Sequence, residues 1–330
     1  MNHTRITDPA GALFGLLLPV VAALSGVILT KAWEKRLPAE LATHWTTTSS
    51  SGFATPMSSA WTFALTTVLI GGGCSAISAL APAMLMMRRA MLVVGLSVVG
   101  LILTVQVVML SEQLDVRDAA DTELPLWSVG LGFSLGFVVG MVGASLLRDY
   151  RRRVCATQPP DTQLPRADTP GAVADTVGFG TVGSLVLLVL VGIAPAIGMC
   201  LLVDGWWPLA VFVPLGLLIV SRVRFQVVAD RSGIRVVNMG MTALHYGIDE
   251  IEGARVEPIK PFADFRGWGF VVKGPRNFGV VTKTGPAVII TTACGDRLTV
   301  TSAQADRMAG VLNSFADRRF RYDHDRVAEP

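Results

Sequence analysis

Charge is what this sequence has least of. Of its 330 residues only 16% are Asp, Glu, Lys or Arg, against 51% hydrophobic, a balance outside that of ordinary soluble domains. No acidic or basic residue falls in the middle of any long apolar run, and Gln106 is the one strongly polar amide there. Ion-coupled transporters and proton pumps hold a carboxylate, a histidine or a broken polar helix at that depth. The shortage therefore argues against ion-coupled transport and leaves open a path for lipid or hydrophobic peptide. Cysteine is equally sparse. Cys74, Cys155, Cys200 and Cys294 are scattered without metal-site or redox spacing and read as small hydrophobes or reduced thiols. The net charge of +3 comes with no basic stripe or stacking platform, so no nucleic-acid partner is expected. A P-loop and an HExxH are missing, and the expectation is a protein that is not an enzyme.

What the chain has instead is apolar length. Six runs approach the roughly 20 residues that cross a bilayer: Ala12–Ala32, Trp61–Leu85, Ala90–Ser111, Leu126–Leu147, Val177–Val203 and Trp206–Ser221. The last is short and carries Pro208 and Pro214, so it reads either as a span or as a re-entrant segment. The first is too long for a signal-peptide core and is expected to remain as a helix. Arg88–Arg89, the run Arg148–Arg153, and Arg222 with Arg224 place their connections on the cytoplasmic side, whereas Lys31, Lys35 and Arg36 run against that rule. Trp33, Trp61, Trp127, Trp206 and Trp207 fall at the opposite ends, as interfacial indoles do. A multi-pass plasma-membrane protein with both termini cytoplasmic is expected, with the bilayer as its first partner.

Beyond Arg224, short β-rich runs alternate with Ser-Gly, Asn and Gly turns, the mark of an antiparallel meander. Strands are predicted at Gly269–Lys273, Gly279–Thr282, Ala287–Thr292 and Arg297–Thr301. A closing helix follows, with capping-box spacing between Thr301 and Gln304 and an apolar stripe of Ala305, Met308, Leu312 and Phe315. The expected fold is an α-helical polytopic membrane domain of about six transmembrane helices, followed by a small antiparallel β-barrel with a C-terminal helix. The domains are then 1–150, a four-helix transmembrane domain with an outer loop at 33–60; 151–176, a flexible Pro-, Asp- and Thr-rich cytoplasmic linker; 177–221, a transmembrane helical hairpin; 222–316, the cytoplasmic β-domain; and 317–330, a polar tail.

Three sets of candidate residues stand out. Pro38, Thr43, His44, Trp45 and Gly52 lie in the polar outer loop, where His44 either contacts a partner or fixes the loop's shape. No cysteine or second histidine accompanies it in the outer loops, so no metal and no cofactor is expected. The neighbouring "TTTSSSG" reads as flexible linker or as a glycan or peptide contact. Gly132, Gly136 and Gly140 recur every four residues and form a groove for a helix of the same chain or of a second copy. Phe265, Arg266 and Trp268, within "FRGWGF", form either a contact with the inner leaflet or a partner, or a glycine turn around a core tryptophan.

Two resemblances follow from these residues. Leu37, Pro38, Thr43, His44, Trp45, Gly52 and Ser58 resemble the pattern of a membrane domain of unknown function, the one found at the N-terminus of the immunity protein against the sporulation-delaying toxin of bacilli. The likeness covers roughly residues 12–80. It departs at Thr46, usually Asn, at Ala42, usually Pro, and in lacking an acidic residue after the glycine. Ile248, Ile251, Val256, Phe265, Gly267, Trp268 and Gly269 are similar to bacterial pleckstrin-homology-like domains of actinobacterial membrane proteins, over about 222–316. Together they imply a non-catalytic membrane protein acting by binding, as an accessory, sensor or immunity-like component with a protein partner in the envelope or at the inner face. A lipid or hydrophobic-solute transporter, and a structural subunit of an envelope complex, are the alternatives.

Overall fold

Asp8 begins the first helix. Its carboxylate accepts hydrogen bonds from the backbone N–H groups of Ala10 and Gly11, and Pro9 takes the first helical position, where its missing N–H costs nothing. The computed structural model describes residues 6–45 and 50–328. Among the described residues five helices are long and apolar enough to cross a membrane: α1 (Pro9–Arg36), α2 (Pro56–Ala79), α3 (Leu85–Glu112), α4 (Trp127–Leu146) and α5 (Thr181–Val203). A sixth, α6 (Leu209–Ser221), has 13 residues, about 20 Å at the α-helical rise, and falls short of the roughly 30 Å hydrocarbon core. Leu201 and Leu202 of α5 are each 81% exposed, an arrangement that lipid favours and water does not.

The chain divides into two units, Met1–Arg151 with Leu190–Leu215, and Arg152–Val189 with Gly216–Pro330. In the first, helices approach through small residues. Pro19 has no N–H to bond the carbonyl of Gly15. A π turn spans Leu13–Leu17, and the Ser75 hydroxyl of α2 donates to that carbonyl at 2.8 Å. Gly132, Gly136 and Gly140 of α4 face α3: a Cβ at Gly136 would lie 2.1 Å from the Leu96 carbonyl oxygen, and one at Gly140 2.8 Å from Val93 Cα. The glycine groove is thus filled by a helix of the same chain. Ser134 of α4 donates to the Ala210 carbonyl at the start of α6.

The second unit is built on two sheets. Strands β3 (Val173–Gly178), β4 (Arg224–Asp230), β5 (Gly233–Asn238) and β6 (Met241–Gly247) form an antiparallel meander. The other sheet has the order β7-β10-β11-β9-β8, from β7 (Ile251–Ile259), β8 (Gly269–Gly274), β9 (Asn277–Val281), β10 (Gly285–Thr292) and β11 (Arg297–Thr301). The expected closed antiparallel barrel is not found. β10 pairs with β7 rather than with β9, so its hairpin partner β11 lies beside β9, and that pair is parallel. A short helix, α7 (Pro261–Phe265), links β7 to β8. Inward residues of alternating strands, including Phe225, Val227, Ile234, Ile289 and Val300, are fully buried. The closing helix α8 (Ala305–Ala328) adds Met308 and Leu312 to that core, while Phe315 is only half-buried.

Four expectations change here. Thr301 does not cap the helix: its hydroxyl accepts from the Thr282 N–H, and the Gln304 N–H is taken by the Ser302 hydroxyl. The segment 152–172 does not run free. Ala156 bonds Asp249, Ala167 bonds Gly310, Arg166 pairs with Asp317, and the Asn313 amide bonds Pro165 and both backbone groups of Ala254. Its end enters the sheet as β3, so α5 starts at Thr181, and α8 carries the tail to Ala328. The register of β3 with β4 pairs Gly178 with Arg224, so the α5–α6 excursion leaves and returns at adjacent residues.

Candidate functional site

The polar loop between α1 and α2 is a hairpin of β1 (Leu41–Trp45) and β2 (Ser50–Ala54). Thr46–Ser49, most of the Thr/Ser run, lie outside the described residues. Leu41 and Ala42 are completely buried, and Leu41 packs with Met109 and Leu110 beside Trp33, Leu37 and Trp45. Gln113, at the end of α3, accepts from the Ala42 N–H at 2.8 Å and donates to the Ala42 carbonyl at 3.1 Å. A side-chain amide thereby satisfies both backbone groups of a buried strand residue that has no third strand beside it. The Trp45 indole N–H donates to the Thr122 carbonyl at 2.8 Å, and the Thr43 hydroxyl donates to the Gly52 carbonyl at 3.2 Å. Arg36 and Asp115 join through two side-chain nitrogens. That hydrogen bond holds the exposed Asp115 carboxyl below its ordinary range.

His44 stands apart from this network. It is exposed, and among the described residues no hydrogen bond to its ring is found. It pairs across the hairpin with Gly52, where a Cβ would meet His44 Cβ at 3.0 Å; the glycine leaves room for the imidazole to stand clear of the strand. Phe53, 46% exposed, lies next to it on β2. Pro38 sits half-buried in the bend leading into β1. Gln113, Trp45 and Thr43 fix the hairpin, and His44 is the group it displays.

The FRGWGF residues part company. Phe265 is 6% exposed and packs with Ile259, Val281, Ala287 and Ile289, so it is a core side chain and not a contact residue. Trp268 packs against Phe179 with ring centroids 5.4 Å apart and planes inclined at 56°, and it donates its indole N–H to the Thr282 carbonyl. Arg266 is exposed, and the aromatic that faces outward is Phe262, 72% exposed.

The sequence reading passed over one pair. Arg88 and Asp8 are ion-paired at 0% and 1% side-chain exposure. Arg88 also donates to the Ser78 and Arg148 carbonyls, each at 3.0 Å, and Asp8 accepts the Arg148 N–H at 3.3 Å. Four chain segments meet at these two side chains: the start of α1, the end of α2, the start of α3 and the exit of α4. Arg89 donates to the Ala144 and Leu147 carbonyls at the end of α4. The Asp-Pro step before an apolar run was the available signal, a helix N-cap.

Among the described residues no group of three or more His, Cys, Asp or Glu side chains is placed to hold a metal ion. No family model, no curated protein and no solved structure matches the chain.

Proposed function

We propose that the chain is a multi-pass membrane protein that acts by binding, as an accessory, sensor or immunity-like component, and that the β1–β2 hairpin is its recognition element. The observation that carries this reading is the contrast within the hairpin. Its backbone is fastened by Gln113 and Trp45, while the one titratable side chain on β1, His44, is exposed and has no hydrogen bond among the described residues. A loop that needed only shape has that shape without the imidazole, and an exposed aromatic heterocycle on a rigid support is what a binding surface requires.

In this reading the hairpin faces the envelope and both termini, with the β-domain, face the cytoplasm. Support comes from Arg151–Arg153 and from Arg222 and Arg224; Arg88 adds less, being neutralised by Asp8. The Gly178–Arg224 pairing favours a sixth segment that returns to the side from which the fifth departs. In-cell crosslinking of the tagged protein tests the proposal. One dominant partner is expected with the wild type and lost with His44→Ala at equal membrane abundance; the same partner captured equally by both would refute a role for His44.

A further inference from the structure

The hairpin between β5 and β6 has a residue that its geometry does not favour. Asn238 pairs with Met241, so the loop is Met239-Gly240, and both have positive φ, 49° and 75°. Positive φ at both central positions is the type I′ pattern, for which Asn-Gly or Asp-Gly is preferred. A methionine in the left-handed region is strained, and such strain persists where the surroundings use it. Met239 is 38% exposed and lines a cleft of about 300 Å³.

The other walls of that cleft are of two kinds. Leu217 and Val220 come from the last turns of the apolar helix α6, while Arg224 and Gln226 come from the start of β4. The Asn238 amide donates to the carbonyls of Ser221 and Arg224, which locks the hairpin tip at the end of α6. Among the described residues the Arg224 guanidinium has one hydrogen-bonded neighbour, the Thr181 hydroxyl at the start of α5. No carboxylate pairs with Arg224 or with the exposed Arg222 among the described residues, and no acidic side chain lines the cleft. The result is an amphiphilic slot at the level where two apolar helices end: hydrocarbon on one wall, unneutralised guanidinium on the other.

We propose that this cleft binds the headgroup of an anionic membrane phospholipid. Arg224 meets the phosphate, and Leu217, Val220 and Met239 lie against the first methylenes of the acyl chains. Arginine suits phosphate because its planar fork bonds two oxygens, and a slot without a carboxylate has nothing to hold the ammonium of a zwitterionic lipid. The site goes beyond the hairpin's proposed role and does not depend on it; it needs only that α6 end at a membrane surface.

The test is native mass spectrometry of the full chain, delipidated in a neutral detergent and titrated with phosphatidylglycerol, phosphatidylcholine or glycerol phosphate. Phosphatidylglycerol should be retained in preference to phosphatidylcholine, and Arg224→Gln should weaken its retention about fivefold, the share of one arginine at a membrane surface; Arg224→Lys should keep part of it. Met239→Asn supplies the second arm: it suits the turn, so thermal stability should hold or rise while lipid retention falls. Equal retention of the two lipids, or Met239→Asn and Arg224→Gln proteins that retain phosphatidylglycerol as the wild type does, would overturn the proposal. So would competition by glycerol phosphate at equal concentration, which would assign the site to a free phosphate instead of a lipid.

Discussion

Arg88 and Asp8, 80 residues apart in sequence, form an ion pair that water does not reach. Each also bonds backbone groups, so neither charge is left without partners. This satisfaction makes the pair tolerable at an apolar helix end.

Removing one partner leaves the other buried and unpaired, at a cost of about 3–5 kcal/mol. Arg88→Met alone and Asp8→Asn alone should therefore sharply lower the melting temperature of the detergent-purified protein. The double substitution Asp8→Asn with Arg88→Met should be less damaging than the sum of the two. Additive losses would show that the two side chains act independently.

Glycine substitutions should divide by what a Cβ meets. Gly136→Ala drives a methyl into the Leu96 carbonyl and should cost about 2–3 kcal/mol through a forced α3–α4 separation. Gly198→Ala meets nothing within 4 Å and should be neutral or stabilising by up to about 1 kcal/mol, the helix-propensity difference. Thermal melts of the two variants side by side give the comparison.

Gln113→Leu leaves the buried N–H and carbonyl of Ala42 without partners, at a cost of about 1–3 kcal/mol. The loss should be local: hydrogen exchange across 41–54 should rise while the α3–α4 core stays protected. If His44 binds a partner, capture should fall in this variant as well, through a hairpin that has lost its fixed form.

His245 of β6 gives a pH dependence. Burial, assisted by the positive charge of Arg153, lowers its pKa, so the folded protein disfavours the imidazolium. The unfolded chain takes up the proton first as pH falls through the ordinary histidine value of about 6.5, and stability must fall with it. Melting temperature should drop between pH 7.5 and 5.5 with a smaller slope in His245→Asn; identical slopes would remove His245 from the account.

Local pattern carried part of this fold. Apolar length located the long helices, and alternation with Gly-bearing turns located β8, β10 and β11, the last at Arg297–Thr301 as read. β3 was missed because Val177 continues into an apolar run that hydropathy absorbs as one helix, and because its partner β4 lies beyond two intervening helices. The parallel β9–β11 pairing is likewise a matter of which distant strand claims β10 first. At the hairpin the His-Trp step was visible. Its fastening was not, since Gln113 is separated from Ala42 by 71 residues and looks on paper like any polar residue at a helix end. Arg88 illustrates the same difficulty: in sequence it is one of two adjacent cations, and only the folded position of Asp8 distinguishes it from a surface charge.

The pairing of Gly178 with Arg224 also bears on biogenesis. β3 is synthesised before the two helices and β4 after them, so the first sheet cannot be completed while either helix is still in transit. A chain in which β4 did not come to pair with β3 would leave both strands with bare edges, open to proteases and to aggregation. The ladder thus makes completion of the first sheet wait on synthesis of both helices, which lie between its two strands in the chain.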